Sequence, residues 1–382
     1  MMQNLSKAGS LSLLAVACVT IMVGCVIVPG LPAIARQLGV EHAASWLVTV
    51  PSLGVIVCGA IAAKLIERLG LYTALCLGLF SYGLLGAAGF MLHGPIAVFT
   101  DRLLLGGSTA LVMAAGTGLI SEFYEGKARL RMIASQGMAI ELGGVIFLFI
   151  GGLLASAGWQ WPFALYLIAW IFLALILFFV PRPESHYRAG SAGDRDGGVS
   201  TALRVVFTLA LLSMLVFFTA IIMLPPRLHD LNFTEAQVGY FLSFTSLVAV
   251  GAAALMPRTA RKIGEYGTQA LAFIFYASAH VAFTTADGLM PIIGGGLCLG
   301  IGFGLSVPLV NHMTIEQSKA PQRGRNLAYL SVAIFAGQFL SSFMEFIPGS
   351  QIRVFGCACV IASGVALMLL SGLKKRRIRR SA

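Results

Sequence analysis

Charged residues are scarce in this sequence. They make up 11% of its 382 residues, whereas a soluble globular domain carries about 25%. Hydrophobic residues account for 58%. A soluble fold must present a charged surface to water, so this shortage excludes a soluble globular protein. The remaining solvent is lipid, in which the backbone must satisfy its own hydrogen bonds within helices or closed barrels.

Short segments of alternating polarity, which a membrane barrel would require, are also missing. The apolar runs are instead long and unbroken: residues 8–35 and 69–100 contain no Asp, Glu, Lys or Arg. A helix needs about 20 such residues to cross the hydrocarbon. The chain is therefore predicted to be an all-α membrane protein.

Several chemical signatures are absent as well. None of the seven cysteines forms a Cys-x-x-Cys pair, so neither a disulfide framework nor a metal site is predicted, and no cofactor is expected. No phosphate-binding loop is present, so a primary pump would need a separate ATPase. The basic excess of +11 lies between apolar spans, where it orients the chain, so nucleic acid is not a predicted partner.

The apolar segments predict twelve transmembrane helices. The spans are 11–34, 44–63, 71–92, 97–119, 132–156, 161–180, 204–224, 237–256, 268–286, 291–313, 327–346 and 353–373. The one long polar stretch, 181–200, falls at the midpoint of the chain. This divides the protein into a six-helix half at 1–180, a cytoplasmic linker at 181–200 and a second six-helix half at 201–382.

The two halves also resemble each other in sequence. A shift of 194 residues places Gly70 on Gly264 and Gly106 on Gly300, and it likewise superposes charged residues at 122, 129 and 131 on those at 316, 323 and 325. Six helices per half is an even number, so the halves share one topology and are related by an axis along the membrane normal. Such folds hold the substrate near the bilayer midplane and work by alternating access.

The distribution of basic residues predicts the orientation. Of the 26 Lys and Arg residues, only Arg36, Arg102, Arg227 and Arg353 fall at the side opposite the termini. By the positive-inside rule, both termini and the linker are cytoplasmic. We expect a multi-pass protein of a bacterial-type inner membrane.

Three segments resemble motifs of the major facilitator superfamily. The loop after the second span has a glycine, Gly59, followed eight residues later by Glu67-Arg68-Leu69-Gly70, where the superfamily has Asp-Arg-x-Gly. The fourth span carries Arg102 followed by small residues. Gly151-Gly152 and the turn at 158–163 resemble the drug:proton antiporter branch, although Phe147-Leu148 stands where that branch has Gly-Pro. The resemblance implies a monomeric transporter of small molecules, with proton coupling and efflux.

Glu141 is the acid predicted to lie at mid-membrane depth. It shares a helix face with Gly137, Gly144 and Gly151, and small residues let helices approach closely, so the carboxyl group is expected to point at protein. Burial favours its neutral form, which suits a group that exchanges a proton. The alternative is a permanently protonated glutamate in a static hydrogen bond.

Arg102 and the adjacent Asp101 form a second candidate for substrate or proton coupling. Arg102 is read either as a buried cation that binds an anionic substrate, or as an interfacial arginine balanced by Asp101. Gln338 and Asn311 lie within the eleventh and tenth spans, where each is expected to bond substrate or a neighbouring helix.

A third group of charged residues lies at the predicted cytoplasmic ends of helices. In the superfamily the loop acid sits near the start of helix 11, so the resemblance implies a gate in which Glu67 lies near Asn326. The alternative reading is that these charges only set topology. The group comprises Glu67, Arg68, Glu122, Arg131, Glu316, Arg323 and Arg325.

Proton-coupled export of small organic molecules is the leading functional hypothesis. An uptake symporter or facilitator for an organic anion is the alternative, with Arg102 as the attracting group. A membrane-embedded lipid-modifying enzyme would need His, Asp or Ser clustered at one membrane face, and the sequence shows no such cluster.

The charge asymmetry makes a topological prediction. Reporter fusions at Lys127, Ser191 and Ala382 are expected to report the cytoplasm, and fusions at His93 and Asp230 the exterior, because basic loops are retained inside. An exterior signal at Ser191 would contradict the arrangement of two six-helix halves.

Overall fold

The computed structural model describes residues 5–183, 199–285, 288–319 and 322–381, and this part of the chain forms twelve long helices. They are α1 (Lys7–Cys25), α2 (Trp46–Leu69), α3 (Leu71–Ala88), α4 (Pro95–Phe123), α5 (Gly126–Ala157), α6 (Trp161–Phe179), α7 (Thr201–Asp230), α8 (Glu235–Ile263), α9 (Glu265–Thr284), α10 (Leu289–Glu316), α11 (Arg323–Leu340) and α12 (Gln351–Ser381).

Within those described ranges, eleven helices are long and apolar enough to cross a membrane. The twelfth, α9, has 20 residues but is more polar. Its Thr268, Gln269 and His280 have no exposed area, so this polarity faces protein rather than lipid. The predicted all-α membrane fold of twelve helices is confirmed.

The C-terminal limit of the first predicted span, 11–34, is wrong. Helix α1 stops at Cys25, and a separate short helix, Leu31–Gln37, follows a turn. Pro29 accounts for the break, since a proline ring clashes with the carbonyl four residues earlier, which here belongs to Cys25. In the second half, α7 instead continues through Pro225 and Pro226 to Asp230, past its predicted end at 224.

The chain folds into two compact units. One contains residues 1–192 and 233–243, and the other contains residues 193–232 and 244–382. The first unit thus includes the start of α8, where the Ser243 hydroxyl donates to the Val145 carbonyl at 3.0 Å. Most of the predicted linker, residues 184–198, lies outside the described residues, and the domain limits stay a prediction.

The internal repeat appears in the local structure of both units. The amide of Gly9 donates to Ser6 Oγ at the start of α1, and 194 residues later the amide of Leu203 donates to Ser200 Oγ at the start of α7. These caps satisfy backbone donors that a helix start leaves free. Gly70, with φ of 78°, and its counterpart Gly264, with φ of 77°, make the same sharp turn after the second helix of each half.

The same repeat governs helix packing. In the first unit, α2 and α4 approach so closely that a Cβ atom on Gly106 would overlap the Pro51 carbonyl oxygen. In the second, a Cβ atom on Gly300 would overlap the Thr245 carbonyl oxygen. Gly300 lies 194 residues after Gly106, and Thr245 lies 194 residues after Pro51. The same helix contact is therefore present in each half. Lipid offers little driving force for helix association, which makes such close contacts the main source of packing energy.

A Gly106→Ala substitution is expected to destabilise the protein by about 1–3 kcal/mol, because the added methyl group meets backbone that cannot rotate away. Thermal unfolding in detergent would measure the loss. Gly116→Ala, on the same helix, is the matched control, since nothing lies within 4 Å of its Cβ position. Equal melting temperatures for both variants would contradict the packing role of Gly106.

Candidate functional site

Glu141 lies at the middle of α5 and is half-buried. Its carboxyl group makes no hydrogen bond or ion pair with any residue in the described ranges. The predicted glycine face packs only in part. A Cβ atom on Gly151 would overlap the carbonyl oxygen of Val26, just after α1, and one on Gly144 would lie 3.5 Å from Ile21 of α1, whereas nothing lies within 4 Å of the Cβ position of Gly137. The carboxyl group itself is within electrostatic range of Cys25 on α1.

The other side of Glu141 borders an open apolar surface. Its helix neighbours Met138 and Leu142 are 66% and 53% exposed. Glu141 therefore stands at the edge of the α1–α5 contact, where a carboxyl group is shielded by protein on one side and accessible on the other. A static bond to a neighbouring helix, the alternative drawn from the sequence, is not formed among the described residues.

Arg102 and Asp101 form an ion pair inside the first unit, with Arg102 Nε 3.6 Å from Asp101 Oδ2. The side chains are 1% and 5% exposed, so Arg102 is not an interfacial arginine with its head in water. The pair removes two charges from solvent, which is costly unless each finds a partner. Asp101 and Arg102 are neighbours on α4, so each supplies a partner for the charge of the other.

Aromatic residues of α6 complete the surroundings of Arg102. Its guanidinium carbon lies 5.3 Å from the ring centre of Phe163 and 5.6 Å from that of Tyr166, within cation–π range. Arg102 Nη1 donates to the Tyr166 hydroxyl at 3.4 Å, and that hydroxyl donates to the Val23 carbonyl at 3.2 Å. The guanidinium also occupies the space beside Gly89, directly after α3, where a Cβ atom would overlap Nη2.

The second unit fills the equivalent space differently. A shift of 194 residues carries Asp101 and Arg102 to Gly295 and Gly296, and carries Gly89 to Phe283. The Phe283 ring packs against Gly295, so the large group comes from the third helix of this half and the glycine from the fourth. The space that the Asp101–Arg102 ion pair fills in the first unit is thus filled by the benzyl group of Phe283 in the second.

Several buried polar contacts of the second unit were not foreseen in the sequence. The hydroxyl groups of Tyr276 and Ser306 lie 2.8 Å apart, joining α9 to α10. His280 Nε2 lies 3.1 Å from the Val216 carbonyl oxygen. Outside the buried region, at the far end of α10, His312 Nε2 lies 3.7 Å from a carboxylate oxygen of Glu265. The repeat register was the signal available for Tyr276, since it corresponds to Tyr82, whose hydroxyl donates to the Val19 carbonyl.

Gln338 and Asn311 do not form interhelical bonds in the described structure. Gln338 is 7% exposed, and its amide group has no hydrogen-bond partner among the described residues. Asn311 is half-buried and donates to the Val307 carbonyl of its own helix at 3.0 Å. Both residues belong to the second unit, and their roles stay predictions.

Comparison with known proteins identifies the family to which the chain belongs. The family model of the Major Facilitator Superfamily matches residues 13–342. The chain belongs to the major facilitator superfamily. It is accordingly a multi-pass membrane transporter and not an enzyme.

Relatives and solved structures that resemble the chain agree with that family. Multidrug resistance protein 1 of Bacillus subtilis (strain 168) is 23% identical over 90% of this chain and 91% of its own. A D-xylose–proton symporter superposes with a TM-score of 0.74 at 17% identity, covering 95% of each chain. A variant of the nucleoside transporter NupG gives 0.77 at 11% identity, covering 96% of this chain and 99% of its own. At these identities the structures establish the fold of the transporter alone.

The predicted gate residues of the transporter occupy the ends of helices. Glu67 and Arg68 are exposed at the end of α2, and neither forms an ion pair with a described residue of its own unit. Arg131, Glu316 and Arg323 are also exposed, whereas Glu122 and Arg325 are half-buried. Asn326, the expected neighbour of Glu67, donates to Ser318 Oγ at 2.8 Å. A gating role stays a prediction.

Removing one member of the buried pair is expected to destabilise the transporter. Asp101→Ala leaves the guanidinium without its anion, at a cost of about 3–5 kcal/mol, and the double variant Asp101→Ala/Arg102→Met is expected to recover most of that loss. Melting temperatures in detergent would test this, with the exposed Arg36→Gln as control. A double variant as unstable as Asp101→Ala would contradict an electrostatic origin of the loss.

Proposed function

We propose that this transporter exports small organic molecules in exchange for protons by alternating access, with Glu141 as the group that carries the proton. The observation behind the proposal is a carboxyl group at the middle of α5 that has no cationic partner among the described residues. An ionised carboxylate in such apolar surroundings is costly, so it takes up a proton unless water or a cation reaches it.

The position of Glu141 suits a group that is loaded and unloaded in turn. Contact with α1 on one side and the open surface beside Met138 on the other make its ionisation depend on what occupies that surface. A conformational change that alters this exposure changes the affinity for protons. By linkage, the proton then biases the conformations in return.

The contacts of Arg102 favour export over uptake of an organic anion. An anion transporter would need a cation free to receive its substrate. Arg102 is instead enclosed by Asp101, Phe163 and Tyr166. Among the described residues Glu141 has no cationic partner, which favours neutral or cationic substrates, and the similarity to a multidrug resistance protein supports efflux.

The setting of the transporter is also part of the proposal. The excess of basic residues on one side supports a bacterial-type cytoplasmic membrane with both termini inside. Each chain carries both halves of the fold, which supports a functional monomer. In this orientation Glu67 and the other charged helix ends face the cytoplasm, where they would close the inner gate.

Glu141→Gln is expected to abolish transport driven by a pH gradient while leaving substrate binding within about twofold, because the amide retains size and hydrogen bonding but cannot exchange a proton. A thermal-shift screen across organic acids, sugars, siderophores and cationic drugs first supplies a ligand. Accumulation of that ligand in everted vesicles with an acidic lumen, repeated across the neutral pH range, is then the measurement.

The control is Glu41→Gln, which removes an exposed acid from the loop before α2 and is expected to transport normally. Full gradient-driven accumulation by the Glu141 variant would exclude Glu141 as the proton carrier. Accumulation driven by a gradient of the opposite direction would exclude exchange for protons.

A further inference from the structure

A groove with a volume of about 750 Å³ lies where the end of α3 meets the start of α4. Most of its wall is apolar and includes Leu85, Leu92, Ile96 and Leu104, and every residue that lines it belongs to the first unit. Clefts of roughly 300–1,000 Å³ with apolar walls and a few polar groups are typical of small-molecule sites. The groove therefore has the size and the lining of such a site.

The groove opens to lipid on the side of the membrane opposite the N-terminus. Three helices precede the loop at 89–94, so this loop lies across the membrane from the start of the chain. Helix α4 begins at Pro95, and Leu104 lies about 14 Å further along it, close to half of the roughly 30 Å hydrocarbon core. The side chains of Ile96 and Leu104 are 85% and 49% exposed. A ligand of the groove therefore comes from this leaflet of the membrane.

Asp101 contributes an acidic group to the wall of the groove. Its side chain is 5% exposed, and neither carboxylate oxygen accepts a hydrogen bond from a described residue. Oδ2 is fully enclosed and lies 3.6 Å from Arg102 Nε, beyond hydrogen-bonding distance. Oδ1 is not enclosed in this way, so it is the acceptor that the side chain offers to the groove. A nearly buried acceptor without a donor is costly, and a ligand that supplies the donor would offset that cost.

The fold does not require a carboxylate at this place. The internal repeat carries Asp101 to Gly295 in the second half, where the ring of Phe283 fills the space beside that glycine. The corresponding pair of helices thus packs without an acid in the second half. The unpaired acceptor of the first half is therefore explained by what binds beside it and not by packing.

The charges and polar groups of the wall select an uncharged ligand with a hydroxyl group. Arg102 already balances the charge of Asp101, so a ligand cation would lose its hydration and meet the guanidinium group. Thr100 also lines the groove, and its hydroxyl group has no hydrogen-bond partner among the described residues. A ligand hydroxyl can donate to Asp101 and accept from Thr100 at the same time.

We propose that this groove binds a single-chain lipid alcohol from the leaflet opposite the termini. Its hydroxyl group bonds Asp101 and Thr100, and its chain follows Leu85 and Leu104 toward the middle of the membrane. The site lies within the first unit and does not depend on Glu141 or on the direction of transport.

The test uses the full-length protein in nanodiscs of phosphatidylcholine, a lipid without a hydrogen-bond donor. The probe is a long-chain alcohol with a photoreactive diazirine on its chain, and peptide mass spectrometry locates the labelled residues. Saturable labelling is expected within residues 85–104. We expect 1-dodecanol to displace the probe at roughly one fifth of the concentration that dodecyl methyl ether requires, because the ether lacks the donor and one net hydrogen bond is worth about fivefold in affinity.

Two variants test the site without touching the ion pair. Leu104→Trp fills the groove and is expected to reduce labelling several-fold. Leu84→Trp is its matched control, since Leu84 is also 49% exposed but lies outside the groove. Thr100→Val keeps the shape of the side chain and removes its hydroxyl group, so it is expected to weaken the preference for dodecanol over the ether.

Equal displacement by dodecanol and by its methyl ether would overturn the proposal, because the groove would then recognise only the chain. Stronger displacement by dodecylammonium than by dodecanol would show a cation site and would also overturn it. An equal loss of labelling in Leu104→Trp and Leu84→Trp would place the probe elsewhere. Glu141→Gln is expected to be labelled like the wild type, so failure of the proton-coupling proposal leaves this inference intact.

Discussion

Close approach of helix backbones is the interaction on which this structure depends. Lipid is as apolar as leucine, so burial of apolar side chains gives transmembrane helices little reason to associate. Glycines instead bring one backbone against another, as Gly106 does on Pro51 and Gly300 does on Thr245. Because each contact involves a backbone carbonyl, its geometry is fixed by the fold, and the same contact recurs at the same offset in both halves.

The space between the third and fourth helices is filled by chemically different groups in the two halves. The first places Arg102, paired with Asp101, against Gly89 at the end of its third helix, and the second places Phe283 against Gly295 on its fourth helix. The benzyl group shows that the volume can be filled without charge. The ion pair therefore carries a desolvation cost that packing does not demand, and the hydroxyl of Tyr166 and the ring of Phe163 offset part of it.

Arg102 and Glu141, both within spans of the first half, have opposite surroundings. Arg102 is enclosed by an anion and two aromatic rings, so its charge is fixed in place. Glu141 has no partner among the described residues and borders an open apolar surface, so its charge depends on what approaches it. A fixed charge stabilises one arrangement of helices, whereas a conditional one couples protonation to a change between arrangements.

The sequence by itself determined the membrane class, the count of helices and the repeat, because these follow from composition and spacing along the chain. It also located Glu141, since a lone acid in a long apolar run stands out. The end of α1 at Cys25 could also have been predicted from the sequence, because Pro29 lies four residues later. The surroundings of Arg102 were decided only by the tertiary structure, because Val23, Gly89 and Phe163 come from three other segments of the chain. Pairings such as His312 with Glu265 likewise join residues 47 positions apart in sequence, and no local pattern specifies which helices meet.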